Sequence, residues 1–318
     1  MRVLLASLLI AAPATADTLE AVQTHIRPGY AAFAVAAGQL ADITDCGSPD
    51  LRPAFHASYD AWMAVAHLHL GPSEVDGRAL ALHFWPDPKG LGWKAQRALL
   101  TGDPAALLPE AFAQQSVAAR GLPALERLLY PTEPLPADPC PLILATADDM
   151  ARLADQLTTE WGPFGDILLT AGQTGNTTYL TQAEATQALF TQLVTGLEFI
   201  ADRRIGRPLG TFDKPRPELA EAHASGRSAQ NVALSLQALR DLAVALHPEI
   251  PNTTTAFDRA LTLAKALDDP DFAGIADPQD WLKLEILQQA VRTTRDAAIA
   301  ELGPALGVTL GFNSQDGD

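Results

Sequence analysis

The sequence predicts an all-α protein made of two four-helix-bundle-like domains packed against each other. Alanine and leucine dominate, only 6% of the residues are aromatic, and runs of β-branched residues are scarce, so helices are favoured over strands. Apolar residues recur at spacings of three and four, as at Phe55, Tyr59, Trp62 and Val65, which places them on one helix face. Each half of the chain offers about four such segments, and two bundles sharing an interface follow naturally.

In the first half, proline and glycine mark the ends of the helices. The first helix is expected to kink at Pro28-Gly29, and the second stops before Gly71-Pro72, because proline cannot continue a helix. Residues 71–92 hold several prolines and glycines and are predicted to form an irregular loop, whose length is typical of a functional segment. The predicted helices of this half span residues 18–43, 50–70, 92–100, 109–129 and 142–170.

The second half begins at Gly172-Gln-Thr-Gly175-Asn, which we interpret as a linker between a domain at 17–171 and a domain at 172–318. Ser225 is a candidate N-cap, because its hydroxyl can accept a hydrogen bond from a free helical N–H group. Asp277-Pro278 opens the last helix with a capping carboxylate and a proline in the first turn. The predicted helices of this half span residues 181–205, 225–247, 251–267 and 279–302.

Residues 1–16 have the pattern of a secretory signal. Arg2 supplies a positive charge, an apolar run follows, and Ala14-Thr15-Ala16 is a small-x-small cleavage site, so we expect cleavage after Ala16 and export. The apolar run is too short to span a bilayer, which requires ~20 residues. No later segment of the sequence is long and apolar enough to predict a membrane span.

The charge balance argues against two classes of partner. The full chain carries 22 Lys and Arg against 38 Asp and Glu, a formal net charge of −16. Nucleic acids and anionic membranes would be repelled by such a surface, so neither is expected as a partner.

Two cysteines, Cys46 and Cys140, are present in the chain. In an exported protein an even pair predicts a disulfide, and here it would close a long loop. The alternative is a pair of buried free thiols.

The most informative stretch is the hexapeptide Gly121-Leu-Pro-Ala-Leu-Glu126. It resembles the Gly-x-His-x-x-Glu motif of the imelysin-like family, with Pro123 where the family has histidine. A histidine and a glutamate three residues apart share one helix face and can reach the same ion. Proline has no lone pair to offer a metal, so Glu126 is left as the candidate metal ligand of this motif.

Other stretches carry the same resemblance and extend it to the C-terminus. They are Tyr59-x-x-Trp62, Leu70-Gly-Pro, Trp85-Pro-Asp-x-Lys89, Arg127-Leu-Leu-Tyr-Pro131, Arg207-Pro-Leu-Gly210, Ser225-Gly-Arg-Ser-x-x-Asn231 and the tail that begins at Leu306. The resemblance implies an all-α fold of two bundles, a bacterial periplasmic or outer-membrane location, a link to iron acquisition, and a site between the domains. Peptidase activity belongs to the family name, and the loss of histidine at Pro123 argues against that activity here.

Four residues are the candidates for a site between the domains. Glu126 is the metal candidate, and Arg78, Asp87 and Arg227 are the candidates for holding a cofactor or ligand. Arg227 can hold an anion or a carboxylate through its fork of donors, with Asn231 on the same helix face. The alternative for this pair is structural, as a helix cap and a buried ion pair between the domains. For Glu126 the alternative is an ion pair with a neighbouring arginine.

The histidines do not form a zinc signature. His67 and His69 would point about 200° apart on a helix, so they could not hold one ion together. His83 is the histidine of greatest interest, because it lies in the irregular loop beside Trp85.

The leading hypothesis is a periplasmic, non-enzymatic protein of iron or other divalent-metal handling, acting through the cleft between its domains. The ligand would be an ion, a metal complex or a protein partner in the periplasm or outer membrane. The alternatives are a metallopeptidase, and a partner-binding module whose metal site is vestigial.

Overall fold

The computed structural model describes residues 17–309, and within this range it contains helices and no β-strand. The predicted all-α fold is confirmed. The predicted signal segment, residues 1–16, and the last nine residues lie outside the described part. The main helices are α1 (Arg27–Ala41), α2 (Leu51–Met63), α3 (Arg78–Leu82), α4 (Leu91–Leu100), α5 (Gly121–Leu129), α6 (Cys140–Leu169), α7 (Gln182–Phe199), α8 (Ser228–Leu246), α9 (Pro251–Lys265) and α10 (Pro278–Ala297).

The helices pack mostly with neighbours in the same half of the chain. In the N-terminal half, residues 17–171, α1 packs against α2 and α6, and α5 packs against α6. In the C-terminal half, residues 172–309, α9 lies between α8 and α10, while α7 contacts both α8 and α10. Helix α8 also contacts α2, and the buried apolar side chains of both halves form one continuous core. The domain boundary at 171/172 stays a prediction.

Helix α5 carries the hexapeptide, and its geometry explains two of the residues there. Gly121 has a φ of +73°, and a Cβ at this position would overlap the carbonyl oxygens of Ala81 and Leu82. Glycine is therefore required for the close approach of α5 to the end of α3. Pro123 lies in the first turn of α5, where its missing N–H would have had no partner within the helix. Pro123 is therefore tolerated as the third residue of the helix, which begins at Gly121.

Three of the sequence-based boundaries were wrong. Helix α2 ends at Met63 instead of near residue 70, so His67 lies in the turn that follows the helix and His69 lies just after that turn. Their angular separation on a helix therefore does not apply. Residues 109–129 form three short elements, Pro109–Phe112, Val117–Ala119 and α5, instead of one helix. Helix α8 begins at Ser228, and Ser225 is not its N-cap.

The predicted disulfide is present. Cys46 and Cys140 are bonded, with a sequence separation of 94 residues. The bond ties the segment that follows α1 to the first residue of α6. Among the described residues, no helix is long and apolar enough to cross a lipid bilayer.

Candidate functional site

The two halves meet at a group of polar side chains, most of them buried, that we call the interface cluster. Its members are Tyr59, His83 and Glu126 from the N-terminal half and Arg204, Glu221, Ser225, Arg227 and Asn231 from the C-terminal half. A buried polar group is costly unless it is paired, so the pairing of these groups determines how the halves fit together.

Glu221 is the centre of the cluster and is only 1% exposed. Its Oε2 atom accepts hydrogen bonds from Arg204 Nε at 2.8 Å and from Asn231 Nδ2 at 3.0 Å. Burial raises the pKa of this carboxyl, but the charge of Arg204 and the contact with His83 outweigh burial and bring the pKa to about 2. Glu221 is therefore an anion at any physiological pH.

His83 links Tyr59 to Glu221. Its Nε2 atom is 3.0 Å from the Tyr59 hydroxyl and 3.2 Å from Glu221 Oε1. Glu221 Oε1 has no aligned hydrogen-bond donor among the described residues. Burial and the charges of Glu221 and Glu126 raise the pKa of Tyr59 well above its usual value, so the phenol keeps its proton.

Arg227 joins the halves as a buried cation. Its Nη2 atom binds the Asp60 carboxylate and donates to Asn231 Oδ1 at 3.2 Å, while Nη1 lies 3.0 Å from His56 Nδ1. The guanidinium also stacks over the Tyr59 ring, 4.8 Å from its centroid. Arg227 and Asn231 are brought together as predicted, and the contacts match the structural alternative of an ion pair between the halves.

Glu126 also reaches across the interface. Its Oε1 atom accepts hydrogen bonds from the Ser225 N–H at 2.9 Å and from the Ser225 hydroxyl at 2.7 Å. No described residue donates a hydrogen bond to Oε2. Burial raises the pKa of Glu126, and the two bonds from Ser225 oppose burial only in part. Ser225, expected at the start of α8, thus holds the motif glutamate instead.

Replacing Glu126 by glutamine should leave the protein as stable as the parent or slightly more stable at pH 7. The raised pKa means that the ionised carboxylate is less favourable in the folded chain than in the unfolded chain. A glutamine side chain at this position would keep an oxygen for both Ser225 donors without the buried charge. Glu126→Ala, in contrast, removes the acceptor and should cost about 1–3 kcal/mol. Urea unfolding of the three proteins checks this order, and a glutamine variant less stable than the alanine variant would contradict it.

Arg78 and Asp87 lie apart from the interface cluster. Arg78 is buried within the N-terminal half, where Nη1 donates to Glu160 Oε2 at 2.5 Å and to the Pro72 carbonyl at 3.1 Å. Asp87 accepts from the N–H groups of Leu91 and Gly92 at 2.9 and 2.7 Å, so it satisfies the free donors at the start of α4. Both residues have local structural partners, and their predicted role in ligand binding stays a prediction.

An open cleft of about 490 Å³ lies beside the cluster, between the two halves. Glu126, Arg78, Asp87 and Arg227 do not line it, whereas two cluster members, His83 and Arg204, do. The side chains that matter most for its chemistry are His67, His69, His83 and Trp85 from the N-terminal half, and Phe199, Arg203 and Arg204 from the C-terminal half.

The cleft combines aromatic surface, imidazoles and charges of both signs, because Glu198 and Asp202 line it beside Arg203 and Arg204. The two acids are ion-paired with Arg295 and Arg292. Trp85 packs edge-on against Phe199, with ring centroids 6.0 Å apart, and the Arg204 guanidinium lies 5.0 Å from the Phe199 centroid. Arg203 is exposed and has no ion-pair partner among the described residues. The aromatic rings can hold a flat ligand by stacking, and Arg203 is the group that can pair with an anionic ligand, because Arg204 is already paired with Glu221.

The side chains of the cleft and the interface cluster are less suited to binding a bare metal ion. Within residues 17–309, no group of three or more His, Cys, Asp and Glu side chains is placed to hold one ion. Glu126 offers one unoccupied oxygen and has no histidine at position 123. The predicted role of Glu126 as a metal ligand therefore stays a prediction, and a metal there would need ligands from outside these side chains.

Arg204 and Glu221 are not among the candidates from the sequence, although the helical spacing around Arg204 indicates that it is buried. Leu193, Leu197, Ile200 and Arg204 recur at spacings of four, three and four, and all four are buried. An arginine that continues an apolar helix face is expected to be buried and paired with an acid. Glu221 does not continue an apolar helix face, because the segment around it is irregular. Its burial could therefore not be predicted from spacing.

Comparisons with known proteins agree with this architecture. A crystal structure of an imelysin-like protein from Psychrobacter arcticum 273-4 is similar, with a TM-score of 0.77 and 20% identity, over 93% of this chain and 96% of that one. A candidate iron-regulated protein A precursor from Parabacteroides distasonis ATCC 8503 is similar with a TM-score of 0.60 and 14% identity, over 91% and 96% of the two chains. At sequence identities this low, the similarity to these two structures shows a shared fold and nothing further.

No curated protein matches the chain. The sequence model of the imelysin family matches residues 26–298, which is most of the chain. The protein therefore belongs to the imelysin family.

Proposed function

We propose that this protein is an exported, periplasmic and non-enzymatic member of its family that handles iron as a complex held in the cleft between its halves. The observation that carries the proposal is the cleft itself, whose volume of about 490 Å³ is in the range of small-molecule sites. The link to iron is supported by the iron-regulated neighbour of the same fold. The export signal predicted at residues 1–16 supports the location.

The chemistry of the cleft favours a metal complex over a free ion. Ferric iron is a hard cation that prefers oxygen ligands, and a chelate brings those oxygens with it. Such chelates are commonly anionic, which suits the exposed charge of Arg203 on the cleft wall. Trp85 and Phe199 supply flat apolar surface for the body of the ligand.

Ferric citrate should quench the tryptophan fluorescence of the protein, because Trp62 and Trp85 line the cleft. Arg203→Glu should weaken this binding by about tenfold or more, since a reversed charge close to an anion costs over 1.4 kcal/mol. A titration of the parent and the variant with ferric citrate and with metal-free citrate measures the effect.

The matched control is Arg259→Glu, which makes the same charge change at another exposed arginine outside the cleft. It should bind ferric citrate like the parent. Absence of quenching in the parent, or equal weakening in both variants, would contradict chelate binding in the cleft. Digestion of a protein substrate that a chelator abolishes would contradict the non-enzymatic part and favour the metallopeptidase alternative.

A further inference from the structure

Two histidines meet at the edge of the cleft, outside the interface cluster. His25 lies in the π-helical turn Ala21–Ile26 that precedes α1, and His67 lies in the turn after α2. Their Nε2 atoms are 3.1 Å apart, with ring centroids at 5.1 Å. Single π-helical turns occur frequently at functional sites, and this one carries His25.

The two Nε2 atoms are too close for both to carry a hydrogen. One ring therefore donates its Nε2–H to the lone pair of the other. If the donor ring moves its proton to Nδ1, both Nε2 lone pairs become available without any change in net charge.

The spacing of the two nitrogens is close to that in a metal site. Zinc binds imidazole nitrogen at ~2.0–2.1 Å, so two such nitrogens on one tetrahedral ion are about 3.3 Å apart. The observed 3.1 Å differs from this by a few tenths of an ångström. His67 forms part of the cleft wall, and water or a ligand in the cleft can fill the remaining positions.

We propose that His25 and His67 form a two-imidazole site for a borderline divalent ion such as Zn²⁺, Cu²⁺ or Co²⁺. Neutral imidazole suits these ions, whereas a hard ferric ion prefers oxygen. Among the described residues, neither His25 Nδ1 nor His67 Nδ1 has a hydrogen-bond partner. Because no acceptor at Nδ1 fixes the orientation of the rings, we expect a modest affinity for the ion. The site is separate from the position proposed for an iron chelate, which depends on Arg203.

Titration of the parent with Co²⁺ should give the visible absorption bands of a low-symmetry, nitrogen-bound ion, and calorimetry with Zn²⁺ should give one site. His25→Gln and His67→Gln should each weaken binding by about tenfold or more, because each removes one of two ligands. The matched control is His69→Gln, which changes an exposed histidine two residues further along the chain that also lines the cleft. This control should bind both ions like the parent.

Equal binding by all three variants, or no binding by the parent, would overturn the site. If either glutamine variant fails to fold, a Zn²⁺-soaked crystal of the parent decides the matter by an anomalous peak between the two Nε2 atoms, and absence of that peak overturns the proposal. Arg203→Glu should leave Zn²⁺ binding unchanged, so failure here and failure of ferric citrate binding are separate results.

Discussion

Replacing Glu221 by glutamine should lower the free energy of unfolding by about 3–5 kcal/mol. The substitution keeps the shape of the side chain but leaves Arg204 as a buried cation without its anion. Arg204 and Glu221 are 6% and 1% exposed, so water cannot take over the lost interaction. Chemical unfolding of the parent and the variant at pH 7 measures the loss.

The chain offers a control with the same geometry at the surface. Arg240 Nε and Asp258 Oδ1 are also 2.8 Å apart, but their side chains are 29% and 61% exposed. Asp258→Asn should cost less than about 1 kcal/mol, since solvent screens exposed pairs. If both substitutions cost the same, burial is not what makes the Arg204–Glu221 pair important.

The pH dependence of stability gives a second readout of Glu221. Its pKa is about 2 in the folded chain against 4.5 as the ordinary value, so the folded state favours the anion. This contribution, about 3 kcal/mol, is present above pH 4.5 and is lost as the pH falls toward 2. Glu221→Gln should remove that part of the acid sensitivity, whereas Asp258→Asn should retain it.

Loss of the disulfide should lower the stability by about 4 kcal/mol. The bond joins residues 94 positions apart, and a cross-link that closes a loop of this length strongly reduces the entropy of the unfolded chain. The double variant Cys46→Ser/Cys140→Ser, unfolded with denaturant beside the oxidised parent, measures the difference. A denaturation midpoint equal to that of the oxidised parent would contradict the expectation.

Reductant provides the control for this measurement. It should destabilise the parent to about the level of the double serine variant and should leave that variant unchanged. A shift of the variant in reductant would mean that the effect does not pass through the Cys46–Cys140 bond.

The sequence located the interface through one short motif. The hexapeptide suggested that Glu126 lies between the halves, and its bonds to Ser225 bring the halves together at this point. Pro123 lies inside the helix expected at 109–129, and proline is tolerated there because a new helix begins at Gly121 and Pro123 falls in its first turn. Local rules of this kind act over a few residues and can be read from one chain.

The same local rules do not decide between two partners that compete for one side chain. Asp87 was expected in the cleft, but its carboxylate meets the N–H groups of residues four and five positions ahead. An aspartate in a loop before a helix can cap that helix or face a ligand, and the sequence does not separate these outcomes. Arg78 presented the same ambiguity, and its partner Glu160 lies 82 positions away.

Contacts between residues that are far apart in the chain could not be predicted from the sequence, for a related reason. His25 and His67 are 42 residues apart, and Arg204 and Glu221 are 17 apart on different elements, so no periodicity connects them. The helix expected to reach residue 70 stops at Met63, although the apolar spacing continues to Val65. Periodicity shows which side of a segment is buried, but tertiary packing determines where the helix ends.

The segment enclosed by Cys46 and Cys140 contains Tyr59, His83 and Glu126, which are all the residues that the N-terminal half gives to the interface cluster. Trp85 and the rest of that half's cleft wall lie within it too. Oxidation of the two thiols therefore fixes the surface against which the C-terminal half docks. Without the bond this surface would be held less firmly, so the fit between the two halves is expected to depend on the redox state of the surroundings.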